Sequence, residues 1–260
     1  MMLTMTMRAT RQRTALVTGA GRGIGRAIAV RLAAAGHRVA LTARNEAELE
    51  ATAALCTSTT LVVPADLTEP RAVDDVFAAI ESELGMVEIL IANAGAGTSA
   101  PLHRISDAEW ERMLDLNLTA PFRCIRRAVP MMTGVGYGRI VVLASVASKR
   151  GEPYLAAYTA AKHGVLGLVR SAAAELARTG VTVNAVCPAY VDTPMTDGTV
   201  QTIMDKTGRT AEEARQILAD KQPIGRLITV EEVADAVWFC IQNPGITGQG
   251  INIDGGAIQS

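Results

Sequence analysis

Short runs rich in β-branched residues recur along the chain at 14–18, 38–42, 60–64, 87–92, 139–145, 181–186 and 251–253. Between them lie alanine- and leucine-rich stretches of helical period at 24–35, 46–55, 70–84, 107–131, 154–178 and 231–241. This alternation constrains the fold more than any other feature. The strand runs are almost continuously apolar, so both faces of the sheet are covered. The long connections between them are crossovers, which join parallel strands. The expected architecture is a single doubly wound α/β domain of about seven parallel strands with helices on both faces. Punctuation agrees: Ser106 to Glu109 reads as a capping box, and Gly36, Gly85 and Gly180 stand where helices should end. In such sheets ligands bind beyond the carboxyl ends of the strands. One stretch, about 190–228, breaks the rhythm and reads as a lid over that edge.

With 260 residues, 49% hydrophobic and 20% charged, the chain can bury one sizeable core. The expected division is a flexible tail over 1–13 and the domain over 14–260. Net charge is −1 with both signs interspersed, which argues against nucleic acid or an anionic membrane as partner. No run of eighteen apolar residues occurs. The arginine-bearing start lacks the apolar segment of a secretory signal; a frayed tail is preferred to a short mitochondrial presequence. Cys56, Cys124, Cys187 and Cys240 are scattered, and neither they nor His103 and His163 have metal-ligand spacing. Free thiols in a cytoplasmic protein, with no metal, are expected.

The first strand runs into TGAGRGIG at 18–25 and then a helix. Glycines there let the chain turn tightly and let a pyrophosphate approach amides at the helix N-terminus. The spacing places glycine at Gly19, Gly23 and Gly25 rather than as G-x-G-x-x-G. At the end of the second strand, an acid would select the ribose hydroxyl of NAD, and a cation the 2′-phosphate of NADP. Here Ala43 is followed by Arg44, and Arg22 stands in the glycine loop. Two cations and no acid favour NADP(H), with NAD(H) left open.

Tyr158 and Lys162 lie four residues apart, which puts them on one helix face about 6 Å apart at Cβ. A tyrosine working near neutrality must have its pKa lowered at a cost of roughly 4 kcal/mol. A lysine cation about 4 Å away supplies about that much. The expectation is therefore that Lys162 depresses Tyr158. Ser145, at the end of the fifth strand run, is placed to hold a substrate oxygen.

These motifs, in this order, resemble the short-chain dehydrogenases/reductases across nearly the whole chain. The resemblance includes Asn93, Ala94 and Gly95 after the fourth strand, Asn117 in LDLNL, Ser145, the Y-x-x-x-K of Tyr158 and Lys162 that begins thirteen residues on from the serine, and PAYVDT at 188–193. It implies a Rossmann-type fold and a catalytic set of Asn117, Ser145, Tyr158 and Lys162. Tyr158 would be the acid/base, Ser145 would orient the carbonyl, and Asn117 would carry a water-linked proton relay. A cofactor would meet Gly19, Arg22, Gly23, Ile24, Gly25, Arg44, Asp66, Leu67, Asn93, Ala94, Gly95, Tyr158, Lys162, Pro188, Val191 and Thr193. In particular, Asp66 would meet the adenine and Thr193 the carboxamide. Two departures stand out. Ala189 follows Pro188 where the family usually has glycine, and Ala92 precedes Asn93 where it often has a second asparagine.

Within the family the pattern is closest to 3-oxoacyl-thioester (ACP or CoA) reductases and 3-hydroxyacyl-CoA dehydrogenases. The expected reaction is NADPH-dependent reduction of a ketone to a secondary alcohol. Alternatives are an NAD-dependent secondary-alcohol dehydrogenase, a polyketide-type ketoreductase and, remotely, a non-catalytic nucleotide sensor. Dehydrogenases of free 3-hydroxybutyrate carry a histidine two positions after the serine, where this chain has Ala147. Lys206, Arg209, Arg215 and Lys221 on the lid are candidate phosphate contacts, but acids alternate with them and a solvated face is preferred. Relatives pair through the helices near 107–131 and 154–178, so a homodimer or homotetramer is expected.

Overall fold

A computed structural model of the protein describes residues 11–259. Seven strands form one parallel sheet in the order β3-β2-β1-β4-β5-β6-β7. They are β1 Thr14–Thr18, β2 Arg38–Thr42, β3 Thr60–Val62, β4 Ile89–Ala92, β5 Gly138–Leu143, β6 Val181–Pro188 and β7 Gly250–Ile253. The chain winds outward from β1 to β3, returns to place β4 on the other side of β1, and winds away to β7. Period-two alternation splits each inner strand between two apolar layers. Leu16, Leu90 and Ile140 face one layer, while Val17, Ile91 and Val141 face the other.

The first layer is completed by α3 (Ala72–Glu83), α5 (Ala120–Gly134) and α6 (Ala156–Leu176), through Phe77, Cys124 and Val165. The second is completed by α1 (Gly23–Ala34), α2 (Glu46–Ala53) and α9 (Val230–Gln242), through Ile28, Leu49 and Val237. Burial of these aliphatic side chains, each contributing about 1.5–3 kcal/mol, holds the layers to the sheet. Gly36, Gly85 and Gly180 all adopt positive φ after their helices, as expected.

The stretch at 107–131 is not one helix. It divides into α4 (Asp107–Leu114), a π-helical segment at Asp115–Thr119, and α5, whose Pro121 lies in its first turn. At the N-terminus of α4, Ser106 Oγ accepts from the Glu109 amide at 3.2 Å. The third strand stops at Val62 instead of 64, although Val63 N still donates to Leu41 O and Ala65 N to Ala43 O; Pro64 between them stands where an edge strand needs no amide.

The segment between β6 and α9 carries α7 (Pro194–Thr207) and α8 (Ala211–Ala219), joined by a small apolar cluster of Val200, Ala214 and Leu218. Its two legs are laced together where Ile228 N donates to Tyr190 O and Asp192 N to Ile228 O. Buried Gln222 donates to the carbonyls of Tyr190 and Arg226. Residues 1–10 of the expected tail lie outside the described residues. Arg13 is held firmly: it pairs with Glu88, and its guanidinium lies 3.7 Å from the Tyr137 ring centroid. Cys124, Cys187 and Cys240 are buried and Cys56 half-buried, all free.

Candidate active site

Strand order reverses between β1 and β4, so the loops that follow them leave in opposite directions and open a crevice at the carboxyl edge of the sheet. A single buried side chain, Thr18, organises this point. Its hydroxyl accepts from Asn93 N at 3.0 Å and Ala94 N at 2.9 Å. Asn93 Nδ2 answers by donating to Thr18 O at 2.8 Å and Gly19 O at 3.2 Å. Thr18 was absent from the expected site, although its place before the glycine loop was visible in the motif.

The glycine loop forms a cradle that side chains would fill. A Cβ on Gly25 would sit 2.1 Å from Gly19 O, and Gly19 and Gly23 have φ of +64° and +53°. Helix α1 begins directly after this turn, and no side chain caps it; its amides therefore remain available to an anion. Ile24 packs partly buried against the second layer. Thr193 approaches from the far side, with its Cγ2 3.5 Å from a Cβ built on Gly23, and caps α7 by accepting from Thr196 N. Val191 pairs with Ile228 behind it. Pro188 closes β6, and Ala189 N donates to Ile253 O.

Arg22, at the start of α1, and Arg44, two residues beyond β2, have side chains 65% and 80% exposed. Glu48 lies 3.7 Å from Arg22, and Asp66 lies 3.9 Å from Arg44. Asp66 Oδ1 also accepts from the hydroxyl and amide of Thr68, which hold its carboxyl below the usual range, with Arg44 adding to the effect. Leu67 is buried beside it. The cradle, the uncapped helix and the paired cations fit a phosphorylated dinucleotide.

The other half of the crevice assembles the predicted catalytic set. The π-helical segment delivers Asn117 into the interior, where Nδ2 donates to Ala96 O and Met113 O, each at 3.0 Å. A Cβ on Gly95 would meet Asn117 Oδ1 at 2.8 Å and Lys162 Nζ at 3.6 Å, so the loop, the asparagine and the lysine converge there. Ser145 stands two residues beyond β5, where its Oγ accepts from Ala147 N and its own amide donates to Ser148 Oγ. Tyr158 and Lys162 share a face of α6, with Nζ 5.6 Å from the phenol ring centroid.

The electrostatics differ from the expectation. Tyr158 is not depressed: burial pushes its pKa up, against the Ser145 hydroxyl that pulls it down, with the Cys187 thiol adding to the rise. Burial also pulls the Lys162 ammonium down to about 8, with Cys187 opposing. The lysine spends its strongest bond on Leu143 O at 2.7 Å. Burial therefore dominates both groups, and the pull that opposes it on Tyr158 comes from Ser145 rather than from Lys162; an argument from distance and charge alone leaves out desolvation. Sequence reasoning also missed the carbonyls of Leu143 and Ala96, because a backbone oxygen carries no signature in residue type.

The fold and this geometry can be set beside known proteins. The short chain dehydrogenase family matches residues 13–203. The chain is a member of that family. A D-beta-hydroxybutyrate dehydrogenase of Rhizobium meliloti is 35% identical over 94% of this chain and 98% of its own. The 3-oxoacyl-acyl-carrier-protein reductase MabA of Mycobacterium bovis is 39% identical over 94% and 92%. Among solved structures, a variant of actinorhodin polyketide ketoreductase crystallised with NADPH superposes with a TM-score of 0.90 at 36% identity, covering 95% of this chain and 97% of that one. This short-chain dehydrogenase is therefore an oxidoreductase acting on CH–OH groups and their ketones.

Proposed function

We propose that this enzyme uses NADPH to reduce a 3-oxoacyl thioester, carried by CoA or an acyl-carrier protein, to the 3-hydroxyacyl form. The observation that carries the reading is the convergence of Ser145, Tyr158 and Lys162 with Gly95 at the crevice edge. The kinship with the mycobacterial reductase and the polyketide ketoreductase supports the substrate class.

Ser145 Oγ holds the substrate carbonyl oxygen, and Tyr158 donates its phenolic proton to that same oxygen as the carbonyl carbon is reduced. A phenol kept protonated by burial is suited to donation. Lys162, anchored on Leu143 O, stands behind the phenol to stabilise the phenolate left by proton transfer. Asn117, donating from Nδ2 to Ala96 O, fixes the loop beside Gly95, and its backbone would help carry a water-linked relay that returns a proton. Gly19, Gly23 and Gly25 receive the pyrophosphate, Arg22 and Arg44 the 2′-phosphate, Asp66 the adenine, and Thr193 the carboxamide. When bound, the nicotinamide supplies the hydride. The segment 190–228 acts as the lid. Arg215 is not free to take a substrate phosphate, since it bridges Asp192 and Asp197; Lys221 donates to the Tyr190 hydroxyl.

A second reading, oxidation of free 3-hydroxybutyrate with NAD, draws on the Rhizobium relative. Ala147, buried in the turn after Ser145, gives a substrate carboxylate nothing to bind. We place the enzyme in the cytoplasm as a homo-oligomer, a dimer or tetramer. Trp110 on α4 and Phe122 and Met131 on α5 are 39%, 40% and 46% exposed, apolar side chains that a second copy would cover.

Initial rates with acetoacetyl-CoA, longer 3-oxoacyl thioesters and 3-hydroxybutyrate, each with both cofactors, test this reading. Tyr158→Phe should lower reduction by about 10²–10⁴-fold while leaving NADPH binding intact. Wild-type inactivity on every thioester would overturn the proposal. Arg44→Ala should weaken NADPH, but not NADH, by about tenfold, the loss of one charge-assisted contact; tighter NADH binding by the wild type refutes the cofactor choice.

A further inference from the structure

Among the described residues, Tyr154 is the one non-glycine residue with a left-handed backbone, at φ 66°. A bulky L-residue crowds its own carbonyl in that region, which is why glycine ordinarily takes such positions. Strain of this kind persists only where the surroundings enforce it, and it collects at functional sites. Here the enforcing contacts are explicit. Tyr154 O accepts from Ala100 N at 2.9 Å, tying the loop after β5 to the loop after β4. Just before it, Glu152 accepts from Arg150 Nε at 2.7 Å, and Arg150 Nη1 reaches Ala257 O at 3.3 Å. The segment is pinned from both sides.

Its position is equally specific. Tyr154 precedes the candidate acid Tyr158 by four residues. The loop it grips passes close to that phenol: a Cβ on Gly97 would lie 3.7 Å from the Tyr158 ring. At this tied pair of loops the protein leaves two large apolar side chains in solvent, Tyr154 at 64% exposure and Leu102 at 74%. Neither contributes to the core layers. A tyrosine suits a surface that is wet when empty and covered when filled, because its ring face is apolar, its hydroxyl stays hydrated, and it has few rotatable bonds to freeze.

We propose that Tyr154, with Leu102, forms a rim that grips the acyl chain of the substrate beyond its reacting carbonyl, making Tyr154 a specificity-determining residue for chain length. This rests on the 3-oxoacyl thioester reading. A glycine at 154 would relax the backbone and remove the ring together, so the retained tyrosine trades conformational ease for contact.

The trade gives a clean experiment. Tyr154→Gly, Tyr154→Ala and Tyr154→Phe are compared with wild type, using acetoacetyl-CoA and 3-oxooctanoyl-CoA as short and long substrates. Loss of the ring should raise KM for the long substrate about tenfold, the size of a few lost methylene contacts. KM for acetoacetyl-CoA and the affinity for NADPH should be preserved, and the phenylalanine variant should behave as wild type. Tyr154→Gly should melt at or above the wild-type temperature, separating lost contact from lost folding. Equal changes in KM for both substrates, or none for either, overturn the inference while leaving the functional reading standing. Wild-type failure on both thioesters overturns the functional reading and this inference with it.

Discussion

Lys162 should make the folded protein less stable than an apolar side chain in its place. The ammonium is buried, and burial lowers its pKa from 10.5 to about 8. At 1.36 kcal/mol per unit, the proton it carries at pH 7 costs the native state about 3 kcal/mol relative to the unfolded chain. The sign follows from proton counts: between pH 8 and 10.5 the unfolded chain binds more protons, so this burden is complete below 8 and lifts as pH rises toward 10.5. Lys162→Met removes it, but strips Leu143 O of a bond of 2.7 Å, a loss of about 1 kcal/mol. The variant should therefore be more stable than wild type by about 2 kcal/mol at pH 7, shrinking to roughly nothing at pH 10. Urea unfolding followed through Trp110 and Trp238, at matched protomer concentration, measures both. The same variant should lose reductase activity. A variant no more stable than wild type at pH 7, or one whose advantage persists unchanged at pH 10, refutes the reasoning.

Further expectations follow from neighbouring features. Gly25→Ala puts a methyl 2.1 Å from Gly19 O, where ordinary contact begins at 3.4 Å. The resulting shift of about 1.3 Å should destabilise the protein by about 1–3 kcal/mol and weaken NADPH, read by a melt and a fluorescence titration. In contrast, Gly198→Ala, within α7 and with open space around its Cβ, should stabilise by about 0.5–1 kcal/mol. His37 is buried, and its Nδ1 accepts from Arg13 N at 3.2 Å. Burial, then Arg13, holds its pKa below the ordinary 6.5, with Glu88 opposing. Its folded pKa is depressed, so stability should fall as pH drops through and below 6.5, and His37→Gln should flatten that acid limb in urea titrations.

Local chemistry explains how much could be read from residues alone. β1 and β2 fall at the expected 14–18 and 38–42 because β-branched runs flanked by turn residues announce parallel strands. Gly36 and Gly180 were legible because helix ends need a left-handed residue. The meeting of Tyr158 and Lys162 on one face of α6, and the place of Ser145 and the glycine loop at the strand ends, were legible because helix spacing and strand boundaries put them there. The π-helical segment at 115–119 was not, since the phase shift that one extra residue brings falls within a single turn, too short a stretch for apolar period to resolve, while Asn117 is buried there. Nor was the direction of the Tyr158 shift, which depends on how much water the packed neighbours exclude. Tyr154 carried no signal at all: its distinction is a backbone angle, and nothing in the letters around it demands one.

The small cluster of Val200, Ala214 and Leu218 deserves a last consequence. It gives the stretch between β6 and α9 an interior of its own, separate from the two layers that hold the sheet together. Substitutions among the contacts of α7 and α8 can therefore be absorbed within that interior without loosening the scaffold beneath it. The stretch is in effect an attachment with its own packing, fastened to the sheet by its ends, so the two bodies of apolar contact can be altered one at a time.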